Sequence, residues 1–179
     1  MFDLPLHPIV VHFPIVLGMV LPFLGLFFWW AIKKEMVQQK AWILVTAVVL
    51  AYGAAAIVAV EVGEEDEEKV EEVISEERIE EHEEAGEMIP WIAGTLLVVS
   101  LAGLSRKRGQ EIRLAFIVLS LAATLPLANA GHTGGELVYK YGAANAHLKG
   151  EQKALVTSGE FYSEHAGEHE DKEHDDDDD

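Results

Sequence analysis

The sequence predicts an all-α membrane protein: a four-helix transmembrane bundle with an outward-projecting acidic helical hairpin and a disordered acidic tail. Two observations carry that prediction. Hydrophobic residues make up 50% of the 179-residue chain, yet its formal net charge is −18 and its mean hydropathy only +0.14. The average conceals four apolar blocks and two acidic ones, the pattern of membrane spans with water-exposed segments between and after them. The chain has no cysteine, which excludes disulfides, thiolate metal sites, iron–sulfur clusters and covalently attached c-type haem.

About 20 consecutive apolar residues cross a hydrocarbon core as a helix. Residues 8–30, 41–60, 88–104 and 114–130 are such runs, the last two short enough to draw a turn from their flanks. Unpaired backbone groups are not tolerated in lipid, so an up-down bundle is the economical architecture. Residues 1–150 therefore read as one four-span membrane domain and 151–179 as an acidic tail rich in His and Asp. Lys33, Lys34 and Lys40 follow the first span, and Arg106, Lys107, Arg108 and Arg113 follow the third. Both connections are short, so these charges belong in the cytoplasm. The expected location is a bacterial inner membrane with both termini outside. The start of the chain has neither a basic n-region nor a small-residue cleavage site, so no removable signal peptide is expected.

Other features of the spans read as scaffold. Trp29, Trp30 and Trp42 suit an inner aromatic belt and Trp91 an outer one. Ala47, Ala51, Ala55 and Ala59 form a four-residue ladder suited to close helix packing. Pro14, Pro22 and Pro126 predict kinks or freed carbonyls.

Residues 61–87 hold fifteen acidic side chains against Lys69 and Arg78. Such a block is ordinarily a solvated or disordered run. Here Val70, Val73 and Ile74 form one apolar stripe, and Ile79, His82, Gly86 and Ile89 another at three- and four-residue steps. The stripes do not share a phase, and Ser75 between them is a good N-cap. Two helical extensions meeting at a turn near Ser75 follow.

On this topology all eight histidines fall on the outer side. His7 and His12 open the first span, His82 precedes the third, His132 follows the fourth, and His147, His165, His169 and His174 come after. His7 and His12 are five residues apart, so on a regular helix they point about 140° from each other. Pro8 suits a first helical turn, which makes His7 a boundary residue and His12 a residue inside the helix. Gly86, one turn beyond His82, leaves room for a flat macrocycle or for close helix packing. Gly131, Gly134 and Gly135 around His132 allow backbone to approach a ligand closely, and 136–141 reads as a short segment lying at the membrane surface.

Three readings use this set. Bis-histidine haem b needs two imidazoles, an apolar slot and a polar edge; His12, His82 and His132 are the expected ligands, His7 serves a second haem, and Arg78 or Lys140 meets the propionates. A zinc or copper site would use His12, His82, His132 and His7 as metal ligands without a porphyrin. The third reading is a hydrogen-bonded cap of histidines in a structural anchor subunit. All three make the chain a binding or electron-transfer subunit rather than an enzyme, with no catalytic residue.

At His7-Pro8-Ile9-Val10-Val11-His12-Phe13-Pro14-Ile15 and Gly134-Gly135-Glu136-Leu137-Val138-Tyr139 the chain resembles the bacterial membrane family known as domain of unknown function 2231. A histidine opening the third span, His82, also fits. The resemblance covers roughly residues 5–145. It implies a four-helix integral membrane protein associated with redox or cytochrome-type partners. Many relatives continue the last motif into a His-Gly pair where this chain has Tyr141-Gly142, so a ligand from that position would pass to His132 or His147.

From Glu160 the tail is almost all Glu, Asp, His and Gly and cannot bury a core. His165 and His169, one helical turn apart, are a weak divalent-ion pair at most. The acidic outer face excludes nucleic acid as a partner and would steer a basic soluble electron carrier or another redox-complex subunit toward it in a salt-dependent way.

Overall fold

A computed structural model describes residues 5–148 and 150. The expected tail, with His165, His169 and His174, lies outside the described residues. Among the described residues there are six helices: α1 (His7–Val10), α2 (His12–Lys33), α3 (Ile43–Val70), α4 (Glu76–Ala102), α5 (Gly109–Ala122) and α6 (Thr124–Tyr139), with 3-10 turns over Gln39–Trp42 and Ala143–His147. They make four units long and apolar enough to cross a membrane: His7–Lys33, Gln39–Val70, Glu76–Ala102 and Gly109–Tyr139. No strand occurs among the described residues.

The interruptions follow from proline. Pro14 has no N–H for the carbonyl of Val10, and the first span breaks at Val11. Pro126 likewise leaves the carbonyl of Ala122 without its partner, and the fourth span breaks at Ala123; Pro126 then sits in the first turn of α6, where its missing donor costs little. Pro22 and Pro90 are accommodated inside α2 and α4.

Consecutive spans pack antiparallel. α3 lies between α2 and α4, α5 packs on α2 and α4, and α6 packs chiefly on α4. The core contains Leu21, Trp42, Val45, Val49, Tyr52, Ala56, Ile89, Ala93, Leu96, Phe116 and Leu127. α2 can approach α6 and α3 because Gly18 has no Cβ: one placed there would meet Leu127 Cδ2 at 2.6 Å and Tyr52 Cε2 at 3.1 Å. Phe13, Phe23, Val98 and Leu125 face outward, as lipid-facing positions do.

The acidic hairpin forms. α3 has 28 residues, about 42 Å at 1.5 Å per residue, which exceeds a hydrocarbon core of about 30 Å. The chain turns over 71–75, and Ser75 is the extended residue before α4, although its side chain makes no capping bond. A second small core of Ile74, Ile79, Leu137 and Ala143, flanked by Val70 and Tyr141, ties the hairpin to the end of α6.

Four expectations are corrected. Trp42 is not a belt residue: it is fully buried, donates Nε1–H to the Ser100 carbonyl at 2.9 Å and packs edge-on against Phe116. The alanine ladder does not face the bundle along its length, since Ala47 and Ala51 are exposed; Val45, Val49, Tyr52, Ala56 and Ala59 form the buried stripe. Arg113 is not a loop charge but a fully buried residue of α5. Residues 136–139 are not a separate surface segment, because α6 runs unbroken through Gly131, Gly134 and Gly135 to Tyr139, held by burial of Thr133 and Leu137.

Candidate functional site

All four spans contribute to one cluster at the end of the bundle that carries the acidic hairpin. Pro8 is the second residue of α1, in the first turn where its fixed φ is favourable, and His7 opens the helix against α3. The Nδ1 of His7 lies 2.9 Å from the carbonyl of Ala59. A carbonyl only accepts, so Nδ1 carries the proton and donates it, and in the neutral ring the lone pair is on Nε2.

His82 reaches the same place from α4. Its Nδ1 lies 2.9 Å from Thr133 Oγ1, and that hydroxyl donates its own proton to the Ala130 carbonyl at 3.1 Å. The hydroxyl oxygen therefore accepts from His82 Nδ1–H, and in the neutral ring Nε2 of His82 carries the lone pair. The two rings face each other edge-on, with centroids 6.0 Å apart and planes at 84°. The Ala130 carbonyl also interacts weakly with the His82 ring.

Two glycines make room for the rings. A Cβ on Gly63 of α3 would stand 3.0 Å from His7 Nδ1, and one on Gly134 of α6 would stand 2.9 Å from His82 Cε1. His82 precedes the apolar stretch of its span. Burial and the neighbouring His7 hold its imidazole below the ordinary value of 6.5, against a smaller upward pull from Ala130. It is therefore a neutral donor at pH 7.

The remaining candidates fall outside the pair. His12 is exposed on α2, whose inward face is set by Pro14, Gly18, Leu21 and Gly25. His132 is exposed on α6, one residue from the inward-facing Thr133. His147 is half-buried in the turn after α6. Gly86, Gly131 and Gly135 have open space where a Cβ would stand. Arg78 is engaged by Glu81 at 2.9 Å and lies 5.4 Å from the Tyr141 ring centroid; Lys140 is engaged by Glu136 at 3.0 Å and lies 5.0 Å from the same ring. Both cations thus brace Tyr141, the residue standing where many relatives were expected to carry histidine.

A family model described as a predicted membrane protein, DUF2231, matches residues 3–147. The chain belongs to this family. No curated protein and no solved structure matches it. The DUF2231 region takes in all six helices and both imidazoles of the pair.

The chemistry open to the pair follows from its donor count. With metal–nitrogen bonds of about 2.1 Å, two imidazoles on one metal have ring centroids roughly 5–6.5 Å apart, and 6.0 Å falls in that range. Among the described residues no cluster of three or more His, Cys, Asp or Glu side chains is arranged for a metal ion. Zinc sites take three or four protein ligands, whereas haem iron takes only its axial ligands from the protein. Sequence reasoning missed Ala59, Gly63 and Thr133. Gly63, a helix-weakening residue inside a run of glutamates, was the available signal.

Proposed function

We propose that the chain is a membrane-embedded b-type haem protein of the electron-transfer kind, with His7 and His82 as the axial ligands of a single haem. The observation that carries this reading is the pair itself. Each imidazole is anchored through Nδ1–H and offers Nε2, and the two rings come from opposite sides of the bundle at 6.0 Å. Anchoring Nδ1 fixes the tautomer and raises the basicity of the nitrogen that would ligate. The open space beside Gly86 and Gly135 would receive the edges of a macrocycle. Haem would supply one-electron exchange; the chain's own part is to hold two half-buried imidazoles in register through their Nδ1 bonds.

The basic connections lie at the opposite end of the bundle, so the positive-inside rule puts the imidazole end outside a bacterial inner membrane. The acidic hairpin then rims the site, and a basic soluble electron carrier is the partner such a surface would attract, with association weakening as salt rises. A copper ion held by the same two imidazoles is the competing occupant. Zinc is the weaker fit for want of a third protein ligand.

The test is an absorption spectrum of protein purified from a haem-replete host, oxidised and then reduced. A Soret band with sharp α and β bands on reduction is expected. Their absence, with copper found by elemental analysis, moves the assignment to the metal ion; absence of both leaves the pair a structural cap.

A further inference from the structure

The opposite end of the bundle holds a second half-satisfied polar group. Arg113 is 0% exposed. Its Nε–H donates to the Gly103 carbonyl at 2.9 Å and its guanidinium lies 5.3 Å from the Trp42 ring centroid, but Nη1 and Nη2 have no partner among the described residues. A buried cation with unused donors is costly unless an anion meets it.

Nη2 reaches back along α5 to its first residue. It lies 3.1 Å from where a Cβ on Gly109 would stand, with the Gly103 carbonyl oxygen, the acceptor of Nε–H, at 3.1 Å and Gln39 Nε2 at 3.2 Å from the same point. α5 begins there with no side-chain cap, so its first amides and the positive end of its dipole face the same spot. Gln39 Nε2 donates to the Ser105 carbonyl at 3.2 Å in an exposed hydrogen bond, which makes this amide the outer cover of the guanidinium. Alongside runs a groove of 530 Å³ lined by Gln38, Lys40, Ala41, Ile43, Leu44 and Leu104. Ile43 and Leu44 are among the exposed apolar residues, and Arg106, Lys107 and Arg108 are exposed in the adjoining loop.

We propose that this end binds an anionic phospholipid. An acyl chain lies along Ala41, Ile43, Leu44 and Leu104, Lys40 and the loop cations draw in the phosphate, and the phosphate reaches Nη1 and Nη2 of Arg113 when the Gln39 amide swings aside. The apolar groove beside the cation selects a lipid over a soluble phosphate. Basic pockets between spans are known headgroup sites. None of these residues belongs to the imidazole pair, so the proposal stands or falls separately from the haem reading.

The full chain in detergent, exchanged against phosphatidylglycerol, phosphatidylcholine or inorganic phosphate, tests this by native mass spectrometry for retained lipid and by thermal unfolding. Phosphatidylglycerol should be retained in preference to phosphatidylcholine. Arg113→Gln should cut that retention roughly fivefold, the loss expected for one basic contact at a lipid surface. Gly109→Ala, which keeps the guanidinium but crowds the point it faces, should also cut it, and decides the matter if Arg113→Gln does not fold. Lys33→Gln, a charge at the same end held over Trp29, should leave retention unchanged. Equal retention of both lipids, an equal loss in Lys33→Gln, or equal stabilisation by inorganic phosphate alone overturns the proposal.

Discussion

The two ends of this bundle solve one problem with opposite chemistry. At the acidic end, two half-buried imidazoles are each tied through Nδ1 to an acceptor on a neighbouring helix, which leaves Nε2 as the nitrogen open to a ligand. At the basic end, a guanidinium is tied through Nε to a carbonyl and keeps two donors unused. A folded chain ordinarily satisfies its buried polar groups, so the unused donors of the fully buried Arg113 suit an anion, while the imidazoles, half-buried and 6.0 Å apart, suit a metal centre on the haem proposal. The ends also differ in packing. Trp42, Phe116 and Arg113 interlock at the basic end, whereas the imidazole end has only a small satellite core.

That difference in packing orders the effects of substitution. Trp42→Ala removes a fully buried indole and its bond to Ser100, and should cost about 3–5 kcal/mol, read as lost helicity in a denaturant titration of micelle-bound protein. Gly134→Val at the other end drives a branched side chain into His82, whose Cε1 is 2.9 Å from a Cβ there. Overpacking of that kind costs about 1–3 kcal/mol, and cofactor content should fall with it. Thr133→Val strips the acceptor from His82 Nδ1 while keeping the shape, at about 1 kcal/mol; a loss no larger than that of an outward-facing Thr124→Val control would undo the anchoring argument.

The pH dependence separates the ends further. His82 titrates below 6.5 in the folded chain because burial and His7 oppose its charge. The unfolded chain then binds more protons in that window, so stability rises with pH across it. The contribution of neutral His82 is complete above pH 6.5 and is lost as pH falls through the lowered folded value. A wild-type unfolding midpoint that drops on acidification through this range, and a flatter profile in His82→Ala, are the expected results. Smallest of all is Arg78→Ala. Its pair with Glu81 is a solvent-exposed i,i+3 contact, a kind that contributes little, so no resolvable change in unfolding midpoint is expected.

The spans were legible because lipid demands long apolar runs, and the hairpin turn because two apolar stripes change phase at Ser75. The site was half legible. His82 announced itself by its stripe, and the spacing of His7 and His12 showed that one helix could not aim both inward. Which of the two faces the bundle depended on where Pro14, Gly18 and Leu21 pack, a tertiary fact that no local pattern contains. Local periodicity also misjudged the three glycines of α6. Glycine weakens an isolated helix, but this one is held by Thr133 and Leu137 against its neighbours. Arg113 and Trp42 read as interface residues from their place beside a loop; burial between α4 and α5 is again a property of packing.

Haem content per chain, measured as pyridine haemochrome in four single variants, tests the central claim most directly. His7→Ala and His82→Ala should each lose the haem, while His12→Ala and His132→Ala should retain wild-type content. Retention in His7→Ala together with loss in His12→Ala or His132→Ala would contradict the account.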